Sequence, residues 1–305
     1  MLYMGNVNRF IFWVLIPLIL LSYIALRIFE WNHYDDDGGR LEIAQQHSMN
    51  LSNRTDVNCL ILGGSNAVFG LSAKQMSSDD NLNCYNLSLL NEGFSDEAYF
   101  EFINSMPINR MEIAYVFYST VYPLTADHFT KRLKNNEDNI DIVGESNFQL
   151  VQVSLAARLN GLLQEKPFFP SHRYPNPTAS GDFNFELYER CDSASVKAHE
   201  WDLTDEEDAV KNWRNANLSR IQSLFQNAQV YFVLPSTLRS NVNKDDLATF
   251  FNFLQAELAK QSVTYIEQSP FPSRDVVCDG ILHANELGRE IRTSELLKLF
   301  YSQNN

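Results

Sequence analysis

Residues 57–67 read VNCLILGGSNA, and this stretch decides the fold. Residues 57–62 form a short apolar run bounded by turn-forming residues. A run that is apolar at consecutive positions, rather than alternate ones, suits a strand buried on both faces of a parallel sheet. Gly63 and Gly64 let the chain turn sharply where that strand ends. Ser65 then opens a helix-like stretch over residues 65–76. Strand, glycine turn and helix in direct succession begin a βαβ unit. They put Ser65 at the carboxyl edge of the sheet, where open α/β sheets bind their ligands.

Outward from this point the same alternation repeats. Residues 83–89, 113–118, 229–234 and 263–267 read as four more strands. Helices are expected at residues 96–105, 206–226, 244–261 and 286–301, with Tyr99, Phe100 and Phe102 on the apolar side of the first. The pattern predicts an α/β domain over residues 56–305 built on a five-stranded parallel sheet. Residues 122–203 interrupt the rhythm with Pro123, Pro167, Pro170, Pro175 and Pro177, the pair Phe168-Phe169 and a helix expected at 147–163. They read as an insertion, either a lid over the site or a surface excursion.

The chain has 305 residues, 45% of them hydrophobic and 12% aromatic, enough for a sizeable core. Its net charge of −14 and the lack of any Lys/Arg-rich run argue against nucleic acid as a partner. An acidic surface also repels anionic membranes and polymers unless a local site overrides it.

Residues 10–26, FIFWVLIPLILLSYIAL, carry no charge, and the apolar stretch extends to residue 29 if Arg27 snorkels. The run is longer than a signal-peptide core and ends in bulky residues rather than a small-residue cleavage site, so an uncleaved transmembrane helix at 10–29 is expected. Arg9 precedes it, and Glu30 and Asp35-Asp36-Asp37 follow. The positive-inside tendency puts residues 1–9 in the cytoplasm and everything after the helix outside it. Residues 30–55 read as a juxtamembrane linker with a short helix at 41–49.

None of the four cysteines lies in a CxxC, which removes the zinc-ribbon and thioredoxin readings. Cys59 and Cys84 sit in strand-like runs and read as buried packing residues. Cys191 and Cys278, in polar loops, could pair in an oxidising compartment. No phosphate loop, metal-ligand spacing or cofactor motif appears, so neither a metal nor a cofactor is expected.

Ser65 alone reads as a helix cap, the commonest role of serine at such a turn. Residues 277–289, VCDGILHANELGR, supply what a nucleophile would need. His283 lies here at the start of the last helix, with Asp279 shortly before it. An aspartate that holds the imidazole Nδ1–H leaves Nε2 to take a serine proton. The turn is neither a Walker A loop nor a G-x-S-x-G elbow, since no lysine follows and position 67 is alanine.

The GGSN turn, the Asp…His-x-Asn-x-x-Gly loop and the α/β pattern between them resemble the SGNH (GDSL-like) hydrolase superfamily. More narrowly, the chain resembles its membrane-anchored bacterial members linked to O-acetylation or other acyl transfer on cell-surface polysaccharides. The resemblance spans roughly residues 56–124 and 203–301. It implies a three-layer αβα sandwich of flavodoxin-like type and an acyl-serine intermediate. By matching motif, Ser65 is the nucleophile, His283 the base and Asp279 its orienting acid. It further implies an inner-membrane protein with a periplasmic domain, an acylated glycan as substrate, and a membrane acyl-donor protein as a partner.

Four positions depart from the family pattern. Gly64 replaces the aspartate before the serine. Three residues rather than two separate Asp279 from His283, so Asp275, or a Ser–His dyad, is an alternative. The glycine oxyanion donor after the second strand has Gly93 or Asn91 as its stand-in. The asparagine donor after the third strand is absent, and Ser119 or Thr120 takes its place. These departures motivate a second reading, a polysaccharide-binding or assembly scaffold that keeps the fold with a decayed site.

Overall fold

The structure is a computed structural model, and it describes residues 14–19, 21–23, 40–78, 81–89, 96–120, 175–188, 191, 210–211, 214–236, 244–278 and 282–304. The chain divides into two units. One comprises Met1–Gly39 and Asp138–Tyr174, the other Arg40–Glu137 and Pro175–Asn305. In the first unit, residues 14–19 and 21–23 are helical, and Val14, Leu15, Ile16, Leu18, Ile19 and Leu21 are exposed. Among the described residues no helix is long and apolar enough to cross a membrane. The expected span at 10–29 falls only partly within the described residues, and the helix expected at 147–163 lies outside them.

The second unit opens with helix α1 (Arg40–Ser52). Five strands follow: β1 (Cys59–Gly63), β2 (Cys84–Asn86), β3 (Tyr115–Ser119), β4 (Gln229–Val233) and β5 (Thr264–Ile266). Between and after them run α2 (Ser65–Gly70), α3 (Ala73–Met76), α4 (Asp96–Ser105), α5 (Ser219–Leu224), α6 (Lys244–Ala259) and α7 (Glu286–Asn304). All pairings are parallel and the strand order is β2-β1-β3-β4-β5. This is the flavodoxin-like order of a doubly wound sheet, whose switch point lies between β1 and β3. β1 is buried at every position, as its continuous apolar run requires.

Helices cover both faces. On one, Cys59, Ile61, Phe117, Tyr231 and Val233 form a single apolar cluster with Ala67 of α2, Met76 of α3, and Leu296 and Phe300 of α7. On the other, His47 of α1 packs edge-on against Tyr85 of β2, with ring centroids 5.7 Å apart. Tyr99 of α4 accepts a 2.8 Å hydrogen bond from the Gly63 N–H. Tyr99, Phe100 and Phe102 are all buried, as the helical spacing predicts.

Two expectations are corrected. The helix expected over 65–76 is two helices, because Ser72 breaks it and caps the second by accepting from Gln75 N. Cys59 and Cys84 are not free packing residues. The parallel register sets them side by side on β1 and β2, Cα atoms 4.3 Å apart, and they form a disulfide. The periodicity that made each read as a core residue carries no register, so the pairing was not visible. A second disulfide joins Cys191 to Cys278.

Candidate active site

At the switch point β1 ends on Gly63, paired with Ser119 at the end of β3. Gly63 has φ +142°, and a Cβ there would overlap the Ser119 carbonyl oxygen, so only glycine fits. The cap of α2 is Gly64, with no side-chain cap bond. Ser65 is therefore the first helical residue and not the cap. Among the described residues its hydroxyl has no hydrogen-bond partner, and it is partly exposed. The commonest structural role for the serine is thus taken by its neighbour.

His283 reaches the same helix by a built loop. Val277 and Ala284 form an isolated antiparallel bridge, and the Cys278 N–H donates to the His283 carbonyl at 2.7 Å. The Cys191–Cys278 disulfide ties this loop to residue 191. Asn285, two residues on, caps α7 by accepting from the Gly288 N–H at 3.0 Å. The His283 ring stacks on Phe69, with centroids 4.4 Å apart and planes 16° apart. Phe69 is four residues beyond Ser65 on α2, and residues four apart share a helix face. The imidazole therefore packs on a side chain one helical turn along α2 from Ser65.

Residues 175–188, from the region expected as an insertion, pack against this aromatic pair. Phe183 lies 4.5 Å from Phe69 ring to ring, with Phe185 and Tyr188 beside it. Arg289 of α7 donates to the Phe183 carbonyl at 2.7 Å and sits 4.6 Å over the Phe185 ring. Burial lowers the Arg289 pKa from its usual value. The segment is anchored by Asp182, 3% exposed. It accepts from Ala73 N at 2.6 Å, Lys74 N at 2.9 Å and Ser72 Oγ at 2.9 Å, all at the start of α3, and from Ser180 Oγ at 3.1 Å.

Beneath Ser65 lies a polar cluster. The Asn66 side chain donates to Ser119 Oγ at 2.8 Å. Arg292 of α7 donates Nη1–H to the Asn66 carbonyl at 2.6 Å, Nη2–H to Ser119 Oγ at 2.8 Å and Nε–H to Gln268 Oε1 at 2.7 Å. Gly70 makes room for this guanidinium, since a Cβ there would overlap it. Burial pulls the Arg292 pKa down to about 9, still protonated at neutral pH.

The sequence-derived candidates sort as follows. Ser65 opens α2, and His283 stacks on Phe69 of the same helix. Ser119 is fully buried, its hydroxyl taken up by Asn66 and Arg292 rather than offered to the surface. Thr120 is also buried. Asp275 is exposed and does not bond His283. Asp279, Asn91 and Gly93 lie outside the described residues. Phe69, Asp182 and Arg292 were missed. Phe69 could have been found from its i+4 spacing to Ser65. Arg292 and Thr293 are a polar pair within the last helix, and Asp182 sits in a stretch without periodicity. Among the described residues no group of His, Cys, Asp or Glu side chains gathers to hold a metal ion.

No family model matches the chain, and no curated protein does. Among solved structures it is similar to an acetyl xylan esterase (Est2A) from the rumen bacterium Butyrivibrio proteoclasticus, with a TM-score of 0.37 and 8% identity. The match covers 82% of this chain and 65% of that one, so the chain spans less than two thirds of the other's length. No residue role is carried across from so distant a likeness.

Proposed function

We propose that the protein is a serine-dependent acyl-ester enzyme, and the observation that carries this is the stacking of His283 on Phe69, one helical turn from an uncommitted Ser65 hydroxyl. Ser65 Oγ attacks the acyl carbonyl carbon while His283 takes the hydroxyl proton, and the carbonyl π pair moves onto oxygen. The tetrahedral intermediate collapses, the ester C–O bond breaks, and the leaving alcohol takes the proton from His283. Water or a sugar hydroxyl then attacks the acyl-serine by the same steps in reverse roles, which makes hydrolase and transferase variants of one chemistry. Asp279 is assigned to orient His283, and Asn91 or Gly93 to donate to the oxyanion.

In this reading the substrate is an acyl, in the first instance acetyl, ester of a cell-surface polysaccharide. The catalytic unit stands outside the cytoplasmic membrane on a helix at 10–29, in an SGNH-like fold. Two disulfides support an oxidising compartment. Exposed apolar side chains on the helical residues 14–19 and 21 support the anchor.

The test is turnover of an aryl acetate, and labelling by a serine-directed phosphonate, with wild type, Ser65→Ala and His283→Ala. Both variants are expected to lose at least about 10³-fold in kcat, and Ser65→Ala to lose labelling. Equal behaviour of wild type and Ser65→Ala sinks the reading. One observation favours the second reading, a glycan-binding scaffold: the Ser119 hydroxyl is committed inward, which leaves one fewer candidate oxyanion donor. Glycan binding that survives both substitutions without turnover would support it.

A further inference from the structure

Arg292 is the buried group that the proposed chemistry leaves unused. It is 1% exposed, yet every acceptor it meets is neutral: the Asn66 carbonyl, Ser119 Oγ and Gln268 Oε1. Gln268 is itself held by donating to the Arg292 carbonyl at 2.7 Å. Among the described residues no carboxylate pairs with the guanidinium. Glu295, one turn away on α7, favours the charge from a distance without bonding it, and its carboxylate is engaged by Ser269 N and Oγ. A buried charge with no bonded counter-ion is costly, and a core glutamine or leucine would serve packing at lower cost. Such an arrangement stands out where a site needs a fixed field rather than stability.

The charge lies under the turn that carries the nucleophile. Its Nη1 holds the carbonyl of Asn66, the residue after Ser65, and its Nη2 reaches the Ser119 hydroxyl that also receives the Asn66 amide. Ser119 in turn fixes the turn from the other side, since its carbonyl accepts from the Gly64 N–H. One side chain therefore grips both sides of the switch point. In a low-dielectric interior the field of a guanidinium bonded only to neutral acceptors acts on charge that appears nearby, without reorganisation at the moment of reaction.

We propose that Arg292 is an electrostatic positioning residue: it fixes the Gly63–Asn66 turn and favours the negative charge that develops beside Ser65 in acyl transfer. The inference rests on the serine-enzyme reading above. The experiment uses the full chain and compares wild type, Arg292→Gln and Arg292→Lys. It reads aryl-acetate kcat and KM, inhibition by phenylboronic acid, and thermal melting. The boronate adds to the serine as an anionic tetrahedral adduct, so its affinity reports stabilisation of that charge.

Arg292→Gln is expected to lower kcat about 10- to 100-fold, below the cost of a direct oxyanion donor, with KM little changed. Boronate affinity should fall by a similar factor, and Arg292→Lys should recover most of both. A role confined to packing would lower the melting temperature without a matched loss of kcat and boronate affinity, and that result overturns the inference. So does a folded Arg292→Gln with kcat within twofold of wild type. If Arg292→Gln does not fold, Arg292→Lys decides: kcat within about tenfold of wild type supports the role of the charge, and a larger loss with native melting overturns it. Failure here is distinct from failure of the enzyme reading. Turnover and labelling that survive Ser65→Ala sink the enzyme reading and this inference with it, whereas loss of both in Ser65→Ala with no effect of Arg292→Gln sinks the inference alone.

Discussion

Asp182 shows how much one carboxylate can organise. The first three N–H groups of α3 need partners that the helix cannot supply. Ser72 satisfies Gln75 N, and Asp182 satisfies Ala73 N and Lys74 N from a segment more than 100 residues away. Its remaining acceptor capacity takes the hydroxyls of Ser72 and Ser180. Removing it strands buried donors, whose full desolvation cost then appears. Asp182→Ala is expected to destabilise the fold by about 3 kcal/mol, within the range for a lost buried charged hydrogen-bond group. Urea unfolding measures this, and a change below about 0.5 kcal/mol would refute the role assigned to it. Phe183 follows directly, so loosening Asp182 should also disturb the aromatic contact with Phe69. A raised KM at near-native melting temperature in Asp182→Asn would report that coupling.

At the scale of elements, the two disulfides act on different parts. Cys59–Cys84 joins neighbouring strands 25 residues apart, and Cys191–Cys278 joins the histidine loop to a residue 87 positions away. In the chain-entropy account these closures stabilise by about 3.5 and 4.6 kcal/mol respectively. Cys191→Ser is therefore expected to cost more stability than Cys84→Ser. It should also lower kcat, because Cys278 lies in the loop that presents His283. Paired melting and aryl-acetate kinetics of the two variants test this, and equal kcat losses would contradict it. The elements themselves were largely legible in the sequence. All five strands lie on the runs read from apolar patterning, because buried parallel strands leave so dense a signal, although β1 and β3 each run one residue further, to the paired Gly63 and Ser119. The second run was drawn too long: residues 83–89 yield only Cys84–Asn86, which pair with Cys59–Ile61. Ser65 and His283 were legible because a glycine turn and a loop before a helix are local features. Arg292 under the turn and Asp182 at α3 were not, because both act on residues distant in sequence. The Cys59–Cys84 bond was hidden for the same reason, since register is a property of two strands together.

For the whole unit, acid stability follows from how α1 is docked. His47 on α1 is 1% exposed, with Nδ1 at 2.9 Å from the Tyr85 hydroxyl and its ring between Tyr85 and Phe102. Burial lowers its pKa from the usual 6.5 to about 3. Tyr85 is pushed above its ordinary range, chiefly by the same burial, so it stays a neutral phenol. Above pH 6.5 both the folded and the unfolded chain carry neutral imidazole at this position, and the group adds no pH dependence. As pH falls below 6.5 the unfolded chain takes up a proton that the folded one does not hold until about pH 3. Stability should therefore fall through this window, by up to about 1.4 kcal/mol per pH unit from this residue. Between about pH 6 and 5 most carboxylates have not begun to protonate, so the histidine contribution can be read separately there. His47→Gln keeps a polar partner for the Tyr85 hydroxyl and cannot titrate. Urea unfolding of both proteins at pH 6 and 5 should show a fall for wild type about 1 kcal/mol larger than for the variant. Parallel curves would mean that acid enters the fold elsewhere. The helix that follows the expected membrane anchor would then be held to the sheet independently of pH in this range.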